Sequence, residues 1–262
     1  MLFALLLALT SPDAKPFVVD RAEVRSIVSK ENGVAYKVYV ALPHGYGAKG
    51  KRFPVVYVLD ADYSFLVARN IADHLAERNH LRELIVVGIA YDGPPQYRLN
   101  RTRDYTPKFS PTGGYGAEYQ KVSGGGPKFR AFLEKELVPF IDRSYATLPK
   151  ERCLVGHSYG GLFSTWMLVT QSALFDRYVI VSASLWYDGG WIFTQVPQKT
   201  LGARVYIAAG ASEDPIMAAD LRKFAARIRT RALDADVLAD ETHNSIFPRA
   251  LSNGLRFVFD GR

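Results

Sequence analysis

The chain has 262 residues, of which 48% are hydrophobic and 13% aromatic; it can bury a substantial core and is too apolar for an intrinsically disordered protein. Its formal net charge is +7, but no dense Lys/Arg block occurs, which speaks against nucleic acid as the partner. The single cysteine, Cys153, excludes an intrachain disulfide and a cysteine-based metal site.

Met1 to Leu9 is almost wholly apolar and reads as the h-region of a secretory signal, too short to span a membrane. A cationic n-region and a clean Ala-x-Ala cleavage site are missing, so residues 1–14 are expected to be a signal segment, truncated or not. The rest, 15–262, reads as one catalytic domain. Export to the periplasm or medium is the expectation; a mis-set start on a cytoplasmic protein is the alternative. Nothing else resembles a transmembrane helix.

Phe17 to Lys30 and Val34 to Val40 alternate apolar and polar residues around the turn signal Glu31-Asn32-Gly33, which predicts a β-hairpin at an antiparallel edge. Pro54–Leu59 and Leu84–Ala90 are continuous apolar runs, as expected of parallel strands buried on both faces. Between them Ser64 to Arg78 has helical spacing. Tyr91 to Lys128 is rich in Gly, Pro, Tyr and Arg and shows no period; it reads as a long irregular insert over the carboxyl end of a central strand. Phe129–Ile141 is predicted helical. Further strands are expected at Cys153–Val155, where Cys153 acts as a small buried hydrophobe, and at Arg177–Ser182, Ala203–Gly210 and Asp236–Ala239. Further helices are expected at Leu162–Val169, Pro215–Ala232 and Ser245–Phe259. Strands alternating with helices make the fold class α/β, with a mainly parallel sheet, an antiparallel N-terminal edge and helices on both faces.

The chemistry centres on Gly156-His157-Ser158-Tyr159-Gly160-Gly161. A Gly-x-Ser-x-Gly between a short apolar strand and a helix-compatible run is the pattern of a nucleophile elbow, in which a strained turn lifts the serine above the sheet edge. Gly156 and Gly160 keep Cβ atoms out of the turn, and Gly161 lets the helix pack closely. Serine needs a base. Of five histidines, only His243 lies beyond the last strand and before the final helix, which satisfies the order Ser…acid…His; His157, next to Ser158, is expected to point elsewhere. The acid should follow the Ala203–Gly210 strand, where Glu213 and Asp214 stand side by side. Spacing favours Glu213, and Asp214 before Pro215 suits a helix cap. Main-chain N–H groups of Tyr159 and of Asp62, with Ala61 as the alternative to Asp62, are the expected oxyanion donors.

Val58-Leu59-Asp60-Ala61, Arg101-Thr102-Arg103-Asp104-Tyr105-Thr106-Pro107, Gly156–Phe163, Ser182-Ala183-Ser184-Leu185-Trp186-Tyr187 and Thr242-His243-Asn244-Ser245 together resemble the putative-esterase (esterase D-like) family of α/β-hydrolases, nearest to its trilactone siderophore esterase branch. The resemblance implies an α/β-hydrolase fold, no cofactor, a small-molecule ester substrate, and ester cleavage through an acyl-enzyme with Ser158 as nucleophile, His243 as base and Glu213 as acid. Ala61 stands where family members often have Gly, and Ala183 where they have Pro. The siderophore branch takes anionic catecholates, and for such a ligand Arg101 and Arg103 in the insert, with Trp186 and Tyr187, are the candidate binding residues; feruloyl-type esters are also within the family's range. The bland alternative is a packed lid in which Arg101 or Arg103 pairs with Asp104. An acyltransferase with the same triad and a non-catalytic binding protein of the same fold are the competing functions.

Overall fold

A computed structural model describes residues 18–260, so the expected signal segment lies outside the described residues. The hairpin forms as anticipated: β1 (Ala22–Val28) and β2 (Ala35–Ala41) pair antiparallel, and Gly33 takes a left-handed φ of 73° in their turn. Next come β3 (Phe53–Leu59), α1 (Ala61–Glu77) and β4 (Ile85–Tyr91). After the insert, β5 (Thr147–His157), β6 (Arg177–Val181), β7 (Leu201–Gly210) and β8 (Thr230–Leu238) complete a sheet of eight strands in the order β1-β2-β4-β3-β5-β6-β7-β8. β2 pairs antiparallel with β4, and every pairing from β4 to β8 is parallel.

Side chains alternate between two cores because successive residues of a strand face opposite sides. Val55, Tyr57, Leu154, Ile180 and Ile207 join one core; Val56, Val58, Val155, Val179 and Ala208 join the other. The second is closed by α1 and by α9 (Phe247–Asp260). The first is covered by α6 (Tyr159–Val169) and, beyond the short α7 (Tyr187–Gly190), by α8 (Pro215–Ala225), together with a broken helix over 126–144. That helix is α4 (Gly126–Phe132), a π-helical turn (Leu133–Leu137) and α5 (Val138–Ser144). Pro139, just after the wide turn, has no N–H to continue an α-helical ladder. All eleven residues of α6 are buried.

Two elements depart from the sequence expectation. The insert is not irregular throughout: it holds α2 (Tyr97–Tyr105) and the short α3 (Ala117–Gln120). Residues 101, 102, 104 and 105 are the buried ones in α2, namely Arg, Thr, Asp and Tyr, so this helix hides a polar face and carries no hydrophobic period. At the other end, α8 stops at Ala225 and the segment expected to continue it enters β8. β8 is an edge strand, half exposed with charges along it, and its pairing with β7 overrides a weak helical pattern.

β3 marks the switch point of the sheet: the chain leaves it through α1 toward β4 on one side, while β5 lies on the other. The crevice outside the carboxyl ends of β3 and β5 is where an open α/β sheet presents ligands. Asp60 follows β3 and Ser158 follows β5 at that crevice.

Candidate active site

Ser158 caps α6 with φ 59° and ψ −118°, a backbone state strained for any residue with a Cβ. Its N–H donates to Val181 O at 3.0 Å and its carbonyl accepts from Leu162 N–H and Ser184 N–H, so the turn is held from β6 and from its own helix. A Cβ at Gly156 would lie 2.2 Å from the Gly160 carbonyl oxygen, and one at Gly161 would lie 2.9 Å from Ala183 Cα. Gly160 is less crowded than its place in the motif implied; a Cβ there would meet Asp60 Oδ2 at 3.4 Å.

A cavity of about 380 Å³ opens above the elbow, lined by Ser158 and His243 and walled by Tyr97, Arg101, Tyr115 and Trp186. His243 Nδ1 donates to Glu213 Oε2 at 2.7 Å. The Glu213 side chain is 1% exposed, and its other oxygen accepts from Ser182 Oγ and Gly210 N–H, each at 2.5 Å. Burial by itself would raise this carboxyl; the hydrogen bonds from His243, Ser182 and Gly210 outweigh it and hold the group below its ordinary value. Asp214 instead caps α8, accepting from Ile216 N–H at 3.0 Å. Among the described residues the Ser158 hydroxyl makes no hydrogen bond, so Ser158 and the His243 imidazole face one cavity without a direct link in this structure.

The other expected site residues divide. Tyr159 opens α6, and as its first helical residue its N–H has no place in the intrahelical ladder. Its phenol accepts from Gly114 N–H at 2.9 Å. Asp62 is exposed in the first turn of α1 and is not part of the cavity lining. Trp186 lines the cavity, whereas Tyr187 is 1% exposed and packs edge-on against Tyr159 from behind, bonded to Lys108 O and Gln120. Arg103 turns away from the cavity, bonding Asp104 through Nε and Nη2 and lying over the Tyr91 ring.

Arg101 does reach the cavity but is already paired. Its Nε and Nη2 donate to the two oxygens of Asp60 at 2.7 and 3.1 Å, and the side chains are 2% and 1% exposed. Nη2 also donates to His157 O at 3.2 Å and Nη1 to the Tyr115 hydroxyl. Burial pushes the Asp60 carboxyl up, and the Arg101 guanidinium opposes it. The bland expectation of a packed lid therefore holds in its Arg103–Asp104 form, and Arg101 takes Asp60 in addition. No sequence spacing pointed to Asp60, whose left-handed φ of 55° at the α1 cap makes this a bridge between lid and sheet. The roles of Ser182, Tyr115 and His157 were also missed: Ser182 stood only as one member of the Ser182–Tyr187 stretch, and no spacing singled out Tyr115. His157 points away from the Ser158 hydroxyl, as expected, and its Nε2 lies 2.9 Å from His243 O. Cys153 is buried and burial pushes its thiol well up, as a structural residue requires. No group of three or more metal-ligating side chains is found among the described residues, and none of their helices is long and apolar enough to cross a membrane.

A family model described as "Putative esterase" matches residues 29–248. The ferri-bacillibactin esterase BesA of Bacillus subtilis is 27% identical, over 92% of this chain and 91% of that protein. Among solved structures, the BES protein from Bacillus cereus has a TM-score of 0.82 at 24% identity, covering 95% of this chain and 99% of that one. An IroE-like serine hydrolase from Shewanella oneidensis has a TM-score of 0.76 at 28% identity, covering 91% and 80%.

Proposed function

The chain belongs to the putative-esterase family and is a carboxylic-ester hydrolase; from that premise we propose that it works through Ser158, His243 and Glu213 by way of an acyl-enzyme. The observation that carries this reading is the buried Glu213 bonded to His243 Nδ1 at 2.7 Å, on the cavity that the strained Ser158 also lines. In the proposed cycle Ser158 Oγ attacks the ester carbonyl and His243 takes its proton. Glu213 holds the imidazole in the tautomer that presents Nε2 and stabilises the imidazolium once formed. The Tyr159 N–H, at the positive end of α6, meets the negative charge that grows on the carbonyl oxygen. His243 then returns the proton to the leaving alcohol, and water repeats the sequence to free the acid. A short p-nitrophenyl ester tests this: Ser158→Ala should lose turnover and should no longer be labelled by a fluorophosphonate. Normal turnover in that variant refutes the reading.

For substrate we propose a siderophore trilactone with aromatic arms. Support comes from the aromatic walls Tyr97, Tyr115 and Trp186 and from the Bacillus subtilis relative, which is named for ferri-bacillibactin. Arg101 and Arg103 are consumed in ion pairs. Arg98 makes no ion pair among the described residues and lies over the Tyr115 ring, 5.8 Å from its centre, so it is the cation at hand for an anionic arm. A cavity of about 380 Å³ suits one arm rather than a whole macrocycle. Hydrolysis rates across trilactones, feruloyl esters and simple acetyl esters decide the substrate: trilactones should lead, and a preference for feruloyl or acetyl esters overturns this part.

A further inference from the structure

We propose that His157 is a positioning residue, a neutral strut that fixes the base loop by donating a hydrogen bond to the main-chain carbonyl of His243. This rests on the triad reading above. His157 Nε2 is 2.9 Å from His243 O; a carbonyl only accepts, so Nε2 carries the ring proton. Nδ1 then offers a lone pair, and the Tyr63 hydroxyl donates to it from 3.1 Å. Both ring nitrogens are thus occupied by different segments, the first turn of α1 and the loop between β8 and α9.

Packing fixes the ring as well. The imidazoles of His157 and His243 lie 4.6 Å apart between centres. Phe247 stands edge-on to His157 at 6.1 Å, and Tyr63 stands edge-on to Phe247 at 5.7 Å. The His157 carbonyl accepts from Arg101. Residue 157 therefore ties the base loop, α1 and the lid helix α2 to the turn that carries Ser158. The contact uses His243's backbone and leaves its ring nitrogens to Glu213 and the cavity.

Neutrality suits this task. A second imidazolium beside His243 would oppose the charge that His243 takes from Ser158. Burial, then the neighbouring His243 and Arg101, push the His157 ring down to about 3. A protonated ring would also lose the lone pair that Tyr63 uses.

Three variants test the proposal through kcat and KM on a short p-nitrophenyl ester. His157→Phe keeps a flat ring but has no donor; its kcat should fall by about 10- to 100-fold with KM within about twofold, in line with the cost of small misplacements near a reacting centre. His157→Gln restores a donor and should recover to within about fivefold of the parent, with the acid limb of its kcat/KM profile unmoved, because a neutral ring is replaced by a neutral amide. Should His157→Phe fail to fold, His157→Gln and Tyr63→Phe carry the test, the latter with a drop of about 3- to 10-fold. Parental kcat in His157→Phe overturns the proposal. So does a folded His157→Gln whose kcat is reduced by 100-fold or more, or whose acid limb has shifted. Ser158→Ala separates this from the reading beneath: turnover surviving there removes the triad, whereas a dead Ser158→Ala beside a fully active His157→Phe removes only the strut.

Discussion

Arg101→Met removes one half of an ion pair whose members are 2% and 1% exposed. It leaves the Asp60 carboxylate without its two hydrogen bonds and also frees His157 O and the Tyr115 hydroxyl. Breaking a buried pair from one side costs about 3–5 kcal/mol, because the remaining charge is uncompensated. For a chain of this size each kcal/mol moves the melting temperature by about 2–4 °C, so a fall of about 6–20 °C is expected by calorimetry. Asp60→Asn is the informative second change, since asparagine tolerates the left-handed backbone at that position. The Arg101→Met/Asp60→Asn double variant carries no stranded charge and should be more stable than the sum of the single changes predicts, by about 2 kcal/mol or more. Activity adds a second readout. A clamp that shapes the site should lower kcat/KM for neutral and anionic esters alike, whereas a substrate-binding cation would affect only the anionic ones. A single variant melting within about 2 °C of the parent, or a loss confined to anionic esters, would refute the clamp.

Glu213→Gln should lower kcat by about 10³- to 10⁴-fold with the fold retained, since an amide cannot fix the imidazole tautomer as a carboxylate does; a loss under tenfold argues against Glu213 as the acid. The Glu213 carboxyl is held below its ordinary 4.5 in the folded chain, so its stabilising contribution is fully present above that value and fades as pH falls through the lower folded pKa. Melting curves of the parent and Glu213→Gln should therefore converge as the pH falls below the ordinary 4.5, and divergence on acidification contradicts the assignment. Gly156→Ala drives a Cβ to 2.2 Å from a backbone oxygen and should destabilise by about 1–3 kcal/mol or more. Gly160→Ala meets its nearest neighbour at 3.4 Å and should leave urea stability within about 1 kcal/mol of the parent; equal effects from the two would show that the motif's glycines are not distinguished by space.

What could be read from the residues alone was whatever local pattern dictates. β3, β4, β6 and β7 are apolar runs buried on both faces, and the hairpin announces itself by alternation around Gly33. The elbow was legible because a strained serine demands small neighbours, and the place of His243 on the same cavity because topology leaves few places for a histidine beyond the last strand. Choosing Glu213 over Asp214 needed the turn that sends one acid inward and lets the other cap α8. The insert resisted for a physical reason. α2 is ordered by an ion pair, an Arg103–Asp104 contact and tyrosines, none of which leaves a hydrophobic period. Arg101 was correctly brought to the pocket, but its charge was spoken for by Asp60, forty-one positions away in sequence. His157 does turn away from Ser158, but its partners Tyr63 and His243 O were not legible, because adjacency to Ser158 says nothing about what an imidazole meets beyond a left-handed bend.

A helix with no face toward water, as α6 is, has no separate way to fray: opening any of its turns exposes part of the central core. The serine that caps it therefore shares the fate of the whole sheet, and its amides should be among the slowest in the molecule to exchange with deuterium. The opposite wall stands on a four-residue helix between glycine-rich stretches, where local opening exposes little. Warming should therefore unmake the mouth of the crevice first and leave a floor that stays set until the molecule melts as a unit.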